Sequence, residues 1–387
     1  MKTKISVAIV FNRFTHHQVA LCDSLSKLCD SFYVVQMDDL GDEWTLKGKK
    51  IRASDYEYLL TYNDSKEKCH DIFNKFDVII SGVGLKMFKK RLKSHKITFV
   101  YLERFYKKNI NFFNFFKLFF GTILHHSIYQ RYKPLLLCAS GYCAGDAAVF
   151  NNYRNRCYKF GYFPETNDYD FDKLFLLKKK QILWAGRLID WKHPEIFIKS
   201  VHLLIKKHND LKVLICGDGV LKKDMLDLCC KLNIESNVSF IGDVSNSELK
   251  RIMQESSIFV ATSDFQEGWG VVVNEAMNSG CAVVASYQMG SVPFLISNGI
   301  NGFITHNNPD EIALYANMLL GDNASLRNIC KNAFFTIRDE WNPKTASLRI
   351  VSFSESLLRN KKLSFGHGPL SPAKPIKQKD MQEVLLK

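Results

Sequence analysis

The stretch from Ala261 to Ser286, ATSDFQEGWGVVVNEAMNSGCAVVAS, holds the residue types best able to do chemistry. Two carboxylates, Glu267 and Glu275, bracket it with seven residues between them. Gly268, Trp269 and Gly270 end a polar loop, and Val271 opens a segment of helical character. A glycine-containing loop running into a helix N-terminus presents backbone N–H groups and a positive dipole end, which suits an anion. Glu267 in the loop can face a ligand. Glu275, roughly two turns into the helix, can accept hydrogen bonds from ligand hydroxyls. A single helix glutamate is more often a solvated carboxylate. An anion site beside two carboxylates instead fits a molecule with both phosphate and sugar hydroxyls.

These residues need a scaffold, and the flanking runs supply one. Ser256–Ala261 and Ala282–Ala285 are short, apolar and β-branched, as in buried strands of a parallel sheet. Val271–Met277 is the helix between them, closed by Asn278-Ser279-Gly280. The same strand–loop–helix pattern recurs upstream. Gln181–Ala185 leads into Gly186-Arg187-Leu188-Ile189-Asp190-Trp191-Lys192, with Pro194 near the next helical turn. Lys212–Cys216 ends at Gly217-Asp218-Gly219, a tight turn lacking the third glycine of a dinucleotide fingerprint. Val238–Ile241 ends at Gly242, where the backbone can approach a ligand closely. In the first half Ile5–Phe11, Phe32–Gln36, Asp77–Ser81, Ile97–Tyr101 and Leu135–Ser140 read as further buried strands. A chain of 387 residues exceeds what one core usually holds. The pattern predicts an α/β protein of two Rossmann-like, doubly wound parallel-sheet domains with ligands at the carboxyl edges of the strands. The expected divisions are residues 1–163, 164–345 and 346–387, with a hinge in Lys159–Asn167 around Gly161 and Pro164.

Glu267-Gly268-Trp269-Gly270, followed by Glu275-Ala276-Met277 and Gly280, resembles the E-x7-E donor-site motif of retaining GT-B glycosyltransferases, glycosyltransferase family 4 (glycosyl transferases group 1). Motifs in family order run from about residue 180 to 340, through Gly186-Arg187-Leu188 with Lys192, Gly217-Asp218-Gly219, Phe240-Ile241-Gly242 and Asn298-Gly299-Ile300-Asn301-Gly302. The resemblance implies a GT-B fold, two Rossmann-like domains facing across a cleft, with a last helix from Trp341-Asn342-Pro343 crossing back onto the first domain. It implies that Glu275 holds a ribose and that Ile241 and Gly242 contact a nucleotide base through main-chain atoms. Arg187 and Lys192 would hold a diphosphate, with amides near Gly268, Trp269, Gly270 and Val271, and Glu267 would orient the donor sugar. One departure is Met289-Gly290-Ser291-Val292-Pro293-Phe294, which lacks a glycine and a glutamate of the usual family run; it bears on donor-sugar preference.

The loop after the first strand, where many relatives carry a Gly-Gly pair, offers Arg13, His16 and His17 instead. Arg13 can supply charge to a donor phosphate in place of close backbone amides. The imidazoles are either acceptor-side groups or solvated side chains at a helix N-terminus. The FxxHHQ segment resembles a bacterial surface-polysaccharide subset of the family. Glu103 and Arg104 follow the Ile97–Tyr101 strand and are acceptor-side candidates by position.

The formal net charge of +14 implies an anionic partner. Nucleic acid is not expected, because no RRM, KH or helix-turn-helix pattern stands out. Lys86–Lys96 packs six Lys or Arg and no acidic residue into eleven positions. Just beyond it, Phe105–Lys133 is phenylalanine-rich, with Lys117 the one Lys, Arg, Asp or Glu between Ile110 and Tyr129. That segment is either a buried core helix or a helix lying in an anionic membrane interface, the second reading matching a lipid-linked acceptor. Eleven cysteines without CxxC spacing read as reduced, buried thiols. MKTKISVAIVFNRF is too short in apolar core for a signal peptide, and no segment has the length of a membrane span. The expected location is cytoplasmic, with the membrane reading placing it on the inner face of the plasma membrane. Asn360–Lys387 is basic and proline-containing and reads as a flexible tail.

The reaction implied is sugar transfer from a nucleoside-diphosphate donor to a glycan or lipid-linked acceptor, with retention. No Asp-x-Asp segment stands out as demanding a divalent cation, so neither metal nor cofactor is expected. Two other readings are kept: a nucleotide-sugar epimerase on the same fold, and a non-catalytic basic membrane-binding protein.

Overall fold

The apolar runs pair side by side into two all-parallel sheets. The computed structural model describes residues 3–38, 55–106 and 112–376. It divides into one unit of Met1–Glu165 with Trp341–Ile376 and a second built on Thr166–Glu340.

In the first unit the strands are β1 (Ser6–Phe11), β2 (Ser31–Gln36), β3 (Leu59–Thr61), β4 (Val78–Ser81), β5 (Ile97–Leu102), β6 (Leu135–Cys138) and β7 (Cys157–Lys159). Among the described residues they lie in the order β3-β2-β1-β4-β5-β6-β7. β1 and β4 are buried along nearly their whole length because helices cover both faces, which is why they read as unbroken apolar runs. The helix His16–Leu28 follows β1 and packs against the helix Pro343–Leu358, where Ser24 Oγ and Ser347 Oγ lie 2.5 Å apart. The C-terminal helix therefore belongs to the first unit, as expected, and the chain returns at Trp341 rather than at 346.

In the second unit β8 (Lys179–Ala185), β9 (Lys212–Cys216), β10 (Val238–Gly242), β11 (Ser256–Ala261), β12 (Ala282–Ser286) and β13 (Phe303–Thr305) lie in the order β10-β9-β8-β11-β12-β13. Its core runs from Phe171 and Leu174 through Ile182, Ile258 and Val284 to Phe334.

Three expectations change. Residues 370–373, inside the expected flexible tail, are instead fixed. They run antiparallel along the β7 edge, with Lys159 N–H donating to Ser371 O (2.8 Å), Leu370 N–H to Lys159 O (2.7 Å) and Ala373 N–H to Cys157 O (2.9 Å). Leu370 is fully buried, held at φ 64°. The end of that tail, residues 377–387, lies outside the described residues. Second, the expected hinge overlaps β7 and the buried Phe160 and Phe163; the passage between units falls at Glu165 and Thr166, within it. Third, Arg91 of the basic run is 1% exposed. It donates to the carbonyls of Phe73, Phe76, Asp77 and Ile97 and to Thr98 Oγ1, burial pulling its pKa down to about 10. Lys96 reaches the carbonyls of Asn74 and Lys75, leaving Lys86, Lys89, Lys90 and Lys93 exposed. All eleven cysteines are free and nine are buried as expected, whereas Cys230 is exposed and Cys157 half-buried.

Candidate functional site

In the second unit the carboxyl ends of β8, β9, β10 and β11 converge on one set of loops. Gly186 N–H donates to Cys216 O (3.0 Å), and Gly217 N–H to Gly242 O (2.7 Å), tying three strand ends together. A Cβ on Gly217, at φ 124°, would lie 2.0 Å from Gly186 O, so only glycine permits this approach. β10 shifts register between Phe240 and Gly242, putting Ile241 outside the ladder with its side chain exposed.

Lys192 and Glu267 form an ion pair, with side chains 14% and 15% exposed. The sequence assigned them to different parts of a donor, and the fold brings them into contact. Ser263 Oγ also donates to Glu267 Oε2 (3.3 Å). Behind the pair, Thr262 Oγ1 donates to Lys192 O (2.6 Å) and accepts from Trp184 Nε1 (2.9 Å), so the β8 and β11 loops are pinned by one hydroxyl. Arg187 and Lys192 both lie over the Trp191 ring, 5.9 and 4.7 Å from its centroid.

The loop after β11 is held from within. Trp269, 1% exposed, donates from Nε1 to Asn274 Oδ1 (2.8 Å), and Ser291 N–H donates to Trp269 O (2.9 Å). Gly270 caps the helix Val271–Asn278 at φ 87°, and a Cβ there would meet Met289 Cε at 2.5 Å and Glu267 Cγ at 3.2 Å. Met289, just ahead of the segment that departs from the family run, is thus the residue that closes the space beside Gly270.

Glu275 sits on that helix. Desolvation pushes its pKa up to about 7, against an opposing effect of Lys250. No hydrogen bond or ion pair to its carboxylate is found among the described residues. Such a group is expensive to ionise and has its acceptor capacity unspent.

His193 went unnoticed in the sequence. It stands at φ 49° before Pro194, its ring between Glu195 Oε1 (3.1 Å) and Asp264 Oδ2 (3.4 Å). The hydrogen bond to Glu195 raises its pKa, outweighing desolvation. The imidazole joins the β8 loop to the β11 loop. Its signal was its place next to Lys192 and a helix-starting proline.

The first-unit candidates separate. Arg13 and His16 are exposed, and His17 is half-buried. The two imidazoles stand 3.7 Å apart, and His17 Nδ1 is buried without a hydrogen-bond partner among the described residues. Desolvation, then His16, pushes the His17 pKa down to about 4. Glu103 accepts from Tyr162 O–H (2.8 Å). Arg104 is 9% exposed, paired with Asp146 through Nε (2.7 Å) and Nη2 (3.0 Å), and lies over Tyr142. Its guanidinium is committed to the fold.

Asp-x-Asp spacing occurs at Asp168-Tyr169-Asp170 and at Asp170-Phe171-Asp172. Asp170 caps the helix Phe171–Leu176, accepting from the Asp172 and Lys173 amides, and Asp172 pairs with Arg327. Among the described residues no group of three or more His, Cys, Asp or Glu is arranged to hold a metal ion.

Residues 165–334 match the family model described as "Glycosyl transferases group 1". An uncharacterized glycosyltransferase of Methanocaldococcus jannaschii, MJ1607, is 33% identical over 156 residues, 40% of this chain and 39% of that protein. A D-inositol 3-phosphate glycosyltransferase of Corynebacterium aurimucosum is 31% identical over 137 residues, 34% of this chain and 32% of that one. The chain thus spans well under half the length of these relatives. Among solved structures, Anabaena Alr3699/HepE in complex with UDP and glucose superposes with TM-score 0.64 at 17% identity, covering 91% of this chain and all of that one. A glycosyltransferase from Rickettsia africae gives TM-score 0.64 at 16% identity, covering 93% and 100%. With two all-parallel Rossmann-like sheets, these neighbours identify the fold as GT-B.

Proposed function

We propose that this chain is a glycosyltransferase that moves a sugar from a nucleoside diphosphate to a glycan or lipid-linked acceptor, with retention, in the synthesis of a bacterial surface polysaccharide. The observation that carries the reading is Glu275: a desolvated carboxylate with unspent acceptor capacity, on the helix that follows a glycine loop at the carboxyl edge of the sheet. A ribose diol is the ligand group that such a carboxylate suits. HepE, a neighbour in fold, has been crystallised with UDP-glucose, which supports a nucleotide-sugar donor.

In this reading Glu275 holds the ribose, and Ile241 and Gly242 offer main-chain atoms to the base. Arg187 and Lys192 neutralise the diphosphate as it leaves. Their interaction strengthens as charge grows, so it favours the transition state over the ground state. Glu267, restrained by Lys192 and Ser263, orients the donor-sugar hydroxyls. The leaving phosphate takes the acceptor proton on the face from which it departs, giving retention without a covalent intermediate. The chemistry is assigned to side chains alone, so turnover should survive EDTA. Transfer is favoured over epimerisation by the paired loop and helix glutamates.

The test is a thermal-shift panel with UDP, GDP, ADP and CMP on the wild type and Glu275→Ala. Saturation at about 100 times the dissociation constant stabilises by about 2.7 kcal/mol. A shift with one nucleotide that Glu275→Ala removes is the expected result, and it names the base. No shift with any nucleotide overturns the donor site.

A further inference from the structure

The helix Phe112–His125 turns an apolar row outward. Phe116, Phe120 and Leu124 are 54%, 57% and 59% exposed, and Ile128 on the following turn is 46% exposed. Spacing of four places them on one side of the helix. The opposite side is spent on the first unit. Phe119 packs on Phe150 (ring centroids 5.7 Å), buried Thr122 bonds the Tyr106 hydroxyl (3.3 Å), and His126 Nδ1 bonds Tyr153 (2.8 Å). One side of the helix is thus core, and on the other Phe116, Phe120 and Leu124 are more than half exposed.

Cations lie on the segments next to that row. Lys86, Lys89, Lys90 and Lys93 are exposed on the segment Leu85–Lys93, and Arg131 and Lys133 on the turn after the helix. The two segments adjoin: the His95 and Tyr132 rings lie 6.3 Å apart, and a Cβ on Gly84 would lie 3.5 Å from His125 Nδ1. Glu103 is the sole acidic residue from Val78 to Gly145, and it is bonded to Tyr162. Apolar exposure beside chain segments rich in cations and nearly free of acidic residues has a specific complement.

We propose that this face docks on an anionic lipid bilayer, the row Phe116-Phe120-Leu124-Ile128 entering the headgroup–acyl boundary while the flanking lysines meet lipid phosphates. The helix lies in the interface plane. No helix among the described residues is long and apolar enough to cross a membrane. Nucleic acid would use the lysines but leave the apolar row unexplained, and lipid uses both. The face belongs wholly to the first unit, so it can be tested independently of nucleotide binding.

The experiment is co-sedimentation of the full chain, without nucleotide, with vesicles of phosphatidylcholine alone or mixed with phosphatidylglycerol. The wild type should pellet with the mixed vesicles and lose binding as salt rises. Phe120→Ser/Leu124→Ser and, separately, Lys89→Glu/Lys90→Glu should each lower partitioning about tenfold or more. Both pairs are exposed, so circular dichroism should be unchanged. Equal pelleting with both vesicle types, or binding undiminished in the serine pair, overturns the proposal. Light scattering that finds a wild-type dimer, made monomeric by the serine pair, assigns the face to a second copy and overturns it too.

Discussion

Lys192 and Glu267 are 75 residues apart in the chain and meet as an ion pair between two loops, each side chain about 15% exposed. The contact joins the loop after β8 to the loop after β11, so neither side chain is placed without the other. Removing one partner leaves a largely buried charge uncompensated, whereas removing both does not.

The first prediction is therefore non-additivity. Lys192→Met and Glu267→Gln should each lower turnover by two orders of magnitude or more, an effect of about 3 kcal/mol or above. The double variant should be little worse than the worse single. In thermal unfolding the cycle should show a coupling of about 1–2 kcal/mol. Additive losses in both measurements would show that the pair is a contact without consequence.

Glu275 predicts a stability gain at the expense of binding. Its pKa is raised from 4.5 to about 7, so the folded state holds the proton more tightly than the unfolded chain. Its contribution is fully present below pH 4.5 and is lost as pH rises through about 7. Above that, the ionised carboxylate weakens the fold by something on the order of 3 kcal/mol. Glu275→Gln should melt higher than the wild type at about pH 8, the gap closing toward acid, while nucleotide binding falls. A variant that binds normally, or melts lower in base, contradicts the assignment.

How much of this was legible in the sequence follows from burial. β1, β4 and β11 were read correctly because a strand covered on both faces is an unbroken apolar run. β3 and β7 have three residues each and no fully apolar face, so neither pattern nor length marked them. The strap at 369–373 was missed because Gly-Pro-Leu-Ser-Pro-Ala-Lys-Pro has the composition of a disordered segment, yet its order comes from the edge of a strand more than 200 residues away. Arg91 hid among lysines, since nothing local distinguishes a cation that caps carbonyls from one in water. The residues proposed for the donor side carry a recognisable motif. Their mutual contact and the link through His193 were not legible, because pairing between loops is a property of the sheet that aligns them.

His193 predicts a pH-dependent link. Its pKa is raised above 6.5, chiefly by the hydrogen bond to Glu195, so the stabilisation is complete below 6.5 and fades as pH climbs through the raised value. Thermal melts of the wild type and His193→Gln should differ most near pH 6 and converge at about pH 9. A gap that is constant across that range would make the ring a packing residue only.

The strap predicts a cost in the first unit. Leu370→Ala empties a fully buried site and should destabilise that unit by about 2–4 kcal/mol. Hydrogen exchange should localise the loss, with the Lys159 and Ala373 amides, which bond across the β7 edge, exchanging faster. Amides of β8 and β11 should be unaffected. Unchanged protection at Lys159 would mean that the edge pairing does not depend on the leucine.

Gly270 separates two physical effects at one position. Alanine there suffers from φ 87° and from a Cβ 2.5 Å from Met289 Cε, and the same Cβ crowds Glu267 Cγ at 3.2 Å. The backbone effect costs about 1 kcal/mol and has no side-chain remedy. The clash with Met289 does, because the methionine end can be removed. Gly270→Ala should therefore displace Glu267 and cut turnover, and Met289→Ala in the same chain should restore part of the activity without returning it to the wild-type rate. Full recovery would mean that backbone conformation at the helix entry is immaterial to the site. No recovery would mean that the loop cannot hold Glu267 in place unless Gly270 keeps its left-handed turn.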